Sequence, residues 1–153
     1  MNLNVTNLII CSNSCNELNS LNLNEYRYLK SIEIGNDCFE NVDLFKIDGL
    51  NELKSLKIGI NSFTHLKSND KWEEDKANNT NRSFHILNCA KLESIEIGRY
   101  SFSDYGGGFE LRNLPKLSTI KIGEIGSSSY NFSYSSFVIK GIIDMILLMN
   151  RSS

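Results

Sequence analysis

The heptapeptide LKSIEIG, at residues 29–35, recurs as LKSLKIG at residues 53–59, LESIEIG at residues 92–98 and LSTIKIG at residues 117–123. A degenerate copy, VTNLIIC, occupies residues 5–11, so successive copies begin 24, 24, 39 and 25 residues apart. Three spacings agree, and the fourth equals one unit with about fifteen inserted residues. Repeats of this length are typical of solenoid proteins, in which each unit stacks on its neighbours.

A second, weaker block accompanies each heptapeptide. Its five copies begin at Leu21, Phe45, Phe84, Phe109 and Phe137. Both blocks alternate apolar and polar residues, which is the period of a strand with one buried face. We therefore predict a mainly β solenoid of about five to six coils, with two short parallel strands in each unit of about 24 residues. A glycine ends each complete heptapeptide, and we expect these glycines to adopt the positive φ that a turn requires.

The repeats resemble a known family. The spacing of Leu29, Ile32, Ile34, Asp37 and Phe39 is similar to the leucine-rich repeat consensus LxxLxLxxNxL. The endings GINSF at 59–63 and GRYSF at 98–102 resemble the BspA-like subclass, and the resemblance covers residues 5–148. It departs at Tyr100 and Ile125, which occupy the asparagine-type position in this alignment. The resemblance implies a leucine-rich repeat solenoid, a right-handed horseshoe or straight, that binds proteins or surfaces and performs no chemistry.

Stacking converts equivalent positions into columns with a spacing of about 4.8 Å. Apolar columns, including a phenylalanine column of Phe39, Phe63 and Phe102, predict the core. One outward column reads Ile9, Glu33, Lys57, Glu96, Lys121, and the next reads Asn7, Ser31, Ser55, Ser94, Thr119. Alternating charges and a hydroxyl ladder can keep an open sheet soluble and in register. Alternatively, these columns form a polar face that binds a protein.

The inserted residues, about 64–82, are highly charged and lack periodicity. They contain the single tryptophan, Trp72. A loop of this length is uncommon within a repeat array and is either disordered or functional. Since aromatic side chains are enriched at binding hot spots, Trp72 is a candidate anchor for a partner, or a cap on the sheet edge.

Composition and motifs exclude several functions. Sixteen Lys and Arg against eighteen Asp and Glu give a net charge of −2, which argues against nucleic-acid binding. No apolar run is long enough to span a membrane, and the first residues lack the features of a signal peptide. His65 and His85 form no triad spacing, and Gly106–Gly108 is not a phosphate loop. We therefore predict no catalytic residues, metal or cofactor.

Four cysteines without a CxxC pair indicate reduced thiols, which favours a cytoplasmic protein. A cell-surface location stays open, and sequons at Asn78 and Asn81 would be glycosylated there.

Both ends of the array lack polar caps. The first repeat starts within five residues of Met1, and residues 142–149 are strongly apolar. We expect a single domain over residues 1–153 that is a fragment of a longer array or associates end to end. Alternatively, residues 142–149 form a short helix that caps the last coil. The main functional hypothesis is a non-enzymatic protein-binding module, and the alternative is a self-associating surface or matrix protein.

Overall fold

Two parallel β-sheets enclose the core of the computed structural model, which describes residues 4–142 and 146–149. The six-stranded sheet contains, in spatial order, β1 (Asn7–Ile10), β2 (Ser31–Ile34), β4 (Ser55–Ile58), β6 (Ser94–Ile97), β8 (Thr119–Ile122) and β10 (Ile146–Met149). The four-stranded sheet contains β3 (Leu44–Asp48), β5 (Ser83–Leu87), β7 (Gly108–Arg112) and β9 (Ser136–Lys140). A single helical turn, α1 (Glu74–Ala77), interrupts this order. The predicted mainly β solenoid with short parallel strands is confirmed.

Alternation along each strand separates the core from the solvent. In β2, for example, Ile32 and Ile34 are buried, whereas Ser31 is half-buried and Glu33 is exposed. The inward residues of β1 to β9 form one continuous apolar cluster. Burial of each such side chain contributes about 1.5–3 kcal/mol relative to exposure, so the stacked coils stabilise one another.

Two stacks of phenylalanine rings interlock at the centre of this cluster. Phe39, Phe63, Phe102 and Phe132 stack with centroid separations of 5.1, 4.8 and 5.1 Å. Phe45, Phe84, Phe109 and Phe137 form a second stack with separations of 4.9, 5.0 and 4.4 Å. Rings of one stack meet rings of the other edge to face, a geometry that contributes about 0.5–1.5 kcal/mol per pair beyond burial.

The turns that follow β1, β2, β4, β6 and β8 have an unusual backbone. In the third coil, Asn61 and Phe63 both have positive φ, 60° and 56°. The same pair recurs in every such turn, and in the fifth coil it consists of Tyr130 and Phe132. The asparagine-type position of that coil is therefore Tyr130, and the sequence assignment to Ile125 is wrong. Five additional turn residues shift the repeat, because the glycine at 123 comes seven residues before Tyr130 rather than two.

A buried hydroxyl holds the strained turns together. The Ser62 Oγ donates to the carbonyl oxygen of Gly35 at 2.8 Å and accepts from the Cys38 N–H at 3.1 Å. Ser101 makes the same contacts one coil later, with the Gly59 carbonyl at 2.6 Å and the Ser62 N–H at 2.9 Å. A bulky residue at positive φ is strained, and these bonds together with ring stacking offset that strain.

The glycines that end the four complete heptapeptides form a column, which we call the glycine column. The prediction that these glycines have positive φ is wrong for three of them. Only Gly123 has positive φ, whereas Gly35, Gly59 and Gly98 do not. A Cβ at Gly98 would lie 2.5 Å from the carbonyl carbon and oxygen of Gly59, and one at Gly59 would lie 2.8 Å from the same atoms of Gly35. Glycine is required there because successive coils approach too closely to leave room for a side chain.

Two further expectations differ from the structure. The alternative short helix at residues 142–149 is wrong for residues 146–149, which form β10 and pair with β8; residues 143–145 lie outside the described part of the chain. The first copy of the second block, at residues 21–26, does not form a strand. Its asparagine side chains bond to the backbone instead, and the Asn24 Oδ1 accepts from the Asp48 N–H at 2.9 Å.

Candidate functional site

Four charged residues form a straight column on the outward face of the six-stranded sheet. We call Glu33, Lys57, Glu96 and Lys121 the charged column. Parallel pairing places them directly opposite one another, Glu33 against Lys57, Lys57 against Glu96 and Glu96 against Lys121. All four side chains are exposed. The strand register thus confirms the outward column that the sequence predicted.

Pairing within the charged column is weak. Among the described residues, Glu96 and Lys121 form its one ion pair, with 3.9 Å between Nζ and Oε1 and 47% of each side chain exposed. Exposed pairs of this kind contribute between about 0 and 1 kcal/mol. The column therefore keeps most of its charge available for a molecule that approaches the sheet.

Ser31, Ser55, Ser94 and Thr119 form the hydroxyl column beside it. These residues lie in register and are half-buried. The Ser31 Oγ donates to Asn7 Oδ1 at 2.8 Å, which continues the column into the first coil. Because these side chains are short, the sheet beside the charged column presents a low polar surface.

A shallow groove runs along the carboxyl end of the same sheet. It has a volume of about 250 Å³, and its floor includes Gly59, Gly98 and Gly123. The glycine column therefore has a second consequence, since the absence of side chains opens this groove. Lys57, Glu96 and Lys121 line one part of it, and Arg99 and Glu124 line another.

Trp72 lies outside the charged column but connects to the groove through a short chain of contacts. Its ring packs on Tyr130 with centroids 4.3 Å apart, and Tyr130 lies 5.4 Å from Tyr100. The Arg99 guanidinium is 5.7 Å from the centre of the Tyr100 ring. Trp72 is half-buried by these contacts. The structure thus brings Trp72 to the groove side of the sheet, packed against the chain rather than projecting from it.

The insertion packs against the coils that flank it, through its last residue. Its last residue, Arg82, is fully buried and forms an ion pair with Asp104 at 2.6 Å. The same guanidinium donates to the carbonyl oxygens of Glu40 and Val42 at 2.6 and 2.9 Å, and lies 4.9 Å from the centre of the Tyr105 ring. These bonds connect the end of the insertion to the coils that precede and follow it.

The buried cluster around Arg82 was not predicted from the sequence. Burial raises the pKa of the Tyr105 hydroxyl far above its ordinary value, although the charge of Arg82 acts in the opposite direction. Tyr105 therefore stays neutral and donates to the Val42 carbonyl at 2.5 Å. The composition of the insertion gave no signal for this, because Arg82 is one of many charged residues in it.

The insertion also borders an open cleft of about 720 Å³. Its lining is polar and includes His65, Asp70, Asn79 and Asp104. Asp104 is 3% exposed, its Oδ2 accepts from Arg82 and from the His65 N–H, and its Oδ1 has no hydrogen-bond partner among the described residues. No group of three or more potential metal ligands occurs in the part of the chain that the structure describes.

His85 lies on the outward face of the four-stranded sheet. Its Nδ1 is 3.4 Å from Oε1 of Glu110, whose other oxygen accepts from Arg112 at 2.8 Å. Partial burial tends to raise the pKa of Glu110, but hydrogen bonds from Arg112 and His85 outweigh it and hold that pKa below the ordinary value. This group stabilises the sheet surface and has the composition of a structural ion pair.

The remaining sequence features are also placed. Cys11 is exposed, Cys15 is half-buried, and Cys38 and Cys89 are buried; all four are free thiols. Burial raises the pKa of the Cys89 thiol, which disfavours its reactive thiolate form. Within the described residues, no helix is long and apolar enough to cross a membrane.

Comparison with known proteins adds no relative to this description. No protein-family model, no curated protein and no solved structure matches the chain. The resemblance to BspA-like leucine-rich repeats therefore stays a prediction from the repeat pattern.

Proposed function

We propose that this chain is a non-catalytic protein-binding module, and that its partner contacts the charged column and the hydroxyl column. The supporting observation is that four alternating charges lie exposed at regular spacing while their own ion pairing is confined to one long contact. Regularly spaced charges give specificity and orientation to a protein interface. The glycine-floored groove and Trp72 extend the same surface on one side.

Affinity capture with a charge-swapped variant tests this proposal. The bait Lys57→Glu/Glu96→Lys keeps the net charge and composition but changes the order of signs in the charged column. A matched control, Glu17→Lys/Lys46→Glu, swaps two exposed charges elsewhere on the surface. We expect wild type and control to retain the same protein from native lysate, and the column variant to lose it, with unchanged far-UV circular dichroism. Identical captured proteins for all three baits would contradict the proposal.

A second candidate, end-to-end self-association as a surface or matrix protein, is favoured by the edge strand β1. Among the described residues, β1 lies at one end of the six-stranded sheet, and Ile9 on it is 69% exposed. An unpaired strand edge is a template for pairing with another chain. Such head-to-tail contacts do not close, so this candidate predicts particles that grow beyond dimers as concentration rises. In a secreted setting, glycans on the exposed Asn78 and Asn81 would support it.

A further inference from the structure

The signs of the charges along the outward face are inverted when the column is read from its other end. From β1 to β8 the column reads Ile9, Glu33, Lys57, Glu96, Lys121, and Leu148 holds the next register position on β10. The signs are therefore minus, plus, minus, plus, between two apolar residues. Read from the opposite end, the signs are plus, minus, plus, minus.

This reversal makes the face complementary to itself. Consider a second copy rotated by 180° about an axis that runs parallel to the strands, midway between β4 and β6. Glu33 then lies opposite Lys121 of the second copy, and Lys57 lies opposite its Glu96. The other two contacts are the symmetry equivalents, so all four charges of each copy meet an opposite charge. Two-fold interfaces are the commonest in homo-oligomers and require such a self-complementary patch.

Other face-to-face arrangements lack this property. A parallel arrangement of the two columns in the same register would place Glu33 on Glu33. An axis through β4 would place Lys57 on Lys57. Like charges that meet in an interface suppress it, so the signs select one register. We propose that the partner of the outward face is a second copy of this chain, bound across this two-fold axis, an inference that rests on the proposed function.

The neighbouring column is compatible with the same axis. The hydroxyl column would lie against itself, and serine and threonine can both donate and accept hydrogen bonds. Its short side chains leave the charged column as the most prominent feature of this part of the face. Because the axis runs parallel to the strands, it keeps the strands of the two copies aligned. This agrees with the packing of aligned sheets, whose strand directions lie within about 30° of each other.

The size of the face limits the strength of this dimer. Six strands spaced about 4.8 Å apart, each four residues long, cover roughly 24 by 13 Å, or on the order of 300 Å² per copy. Stable complexes bury about 800 Å² per partner. We therefore expect a weak dimer, populated at chain concentrations on the order of 100 µM and weakened by salt, which screens exposed charges beyond about 8 Å at physiological strength.

Charge reversals test the two-fold axis directly. Lys57→Glu and Glu96→Lys each place like charges at two contacts of the dimer. The double variant Lys57→Glu/Glu96→Lys restores attraction at both contacts, because these positions face each other across the axis. Within one chain, each of the three variants creates two like-charged neighbours in the column, so they are matched for any effect on folding. Thermal unfolding of all four proteins verifies this match.

Sedimentation velocity at low salt provides the measurement. We expect wild type and the double variant to dimerise, each single variant to dimerise at least about tenfold more weakly, and an equimolar mixture of the two single variants to recover the wild-type level. Raising the salt to about 0.5 M should dissociate every dimer.

Three outcomes would overturn the proposal. They are a wild type that stays monomeric at several hundred micromolar, a double variant as weak as the single variants, and particles that grow beyond dimers. The protein-binding function is judged separately by the capture experiment. A different protein that the column variant loses would preserve that function even where self-association fails.

Discussion

The close stacking at Gly98 leads to a quantitative prediction. The substitution Gly98→Ala adds one carbon, which the backbone geometry places 2.5 Å from the carbonyl group of Gly59 and 2.9 Å from the Ile60 nitrogen. All of these atoms belong to the backbone, so no side chain can rotate away. The third and fourth coils must separate locally by roughly 1 Å to reach ordinary van der Waals contact, and closely packed interiors transmit such a shift.

The magnitude follows from the hydrogen bonds that cross this contact. The Gly98 N–H donates to the Ile58 carbonyl at 2.8 Å, the Ser101 Oγ donates to the Gly59 carbonyl at 2.6 Å, and the Ser62 N–H donates to the Ser101 Oγ at 2.9 Å. Each bond contributes about 1 kcal/mol net. Loss of these bonds lowers the free energy of unfolding by about 3 kcal/mol. For a chain of this length, that corresponds to a Tm about 6–12 °C lower.

Thermal unfolding followed by circular dichroism checks the value, with Gly108→Ala as the matched control. A Cβ at Gly108 meets only the His85 Cε1, at 3.9 Å, and the backbone there has no positive φ. We expect this control to be neutral or stabilising by up to about 1 kcal/mol, because alanine restricts the unfolded chain. If the two variants melt within about 2 °C of each other, close approach of the coils is not what selects glycine at position 98.

Three further expectations concern the insertion and the sheet surface. Arg82→Met leaves the buried Asp104 without its cation and should lower the free energy of unfolding by about 3–5 kcal/mol; Arg82→Met/Asp104→Asn should recover part of this in the same denaturation assay. Because the pKa of Glu110 is lower in the folded chain than the ordinary value for glutamate, its contribution to stability is complete above that ordinary value and is lost as pH falls through the folded pKa. The difference in melting temperature between wild type and Glu110→Gln should therefore be larger at pH 7 than at pH 3. Tyr130→Ala removes the ring that covers Trp72, so the tryptophan emission should shift to longer wavelength, whereas an unchanged spectrum would refute this packing.

The columns could be predicted from the sequence because two regularities coincide in it. Alternation along the heptapeptide defines which residues face inward, and recurrence of the heptapeptide defines which residues are neighbours. Together they predicted that Lys57 lies between Glu33 and Glu96, which the strand register confirms. A parallel solenoid has few other ways to bury the isoleucines of every copy on one side, so local pattern and global fold agree.

The insertion and the turns could not be predicted by the same reasoning. Arg82 and Asp104 are separated by 22 residues, and nothing that repeats marks them as partners. The turn phenylalanines have positive φ against the preference of bulky residues, so their conformation follows from ring stacking and the buried serine. The misplaced asparagine-type position in the fifth coil has a similar cause. Alignment by sequence spacing assigned the asparagine-type position to Ile125. In the structure Phe132 stacks on Phe102, so the asparagine-type position, two residues before the stacked phenylalanine, is Tyr130.

The charged column depends on the order of its coils and not on their spacing along the chain. The insertion lengthens one repeat to 39 residues, yet Lys57 and Glu96 still pair directly, so the alternation of signs continues across it. Four alternating charges become complementary when the column is reversed about its centre, whereas five reversed about their centre would place like charges opposite one another at every position. With one additional charged coil, a two-fold axis could still pair four of the charges, but it would lie away from the centre of the column and would leave the fifth charge without an opposite charge. An even number of charged coils is thus the condition under which every charge of the column meets an opposite charge, whereas an alternating column of any length can contribute to solubility.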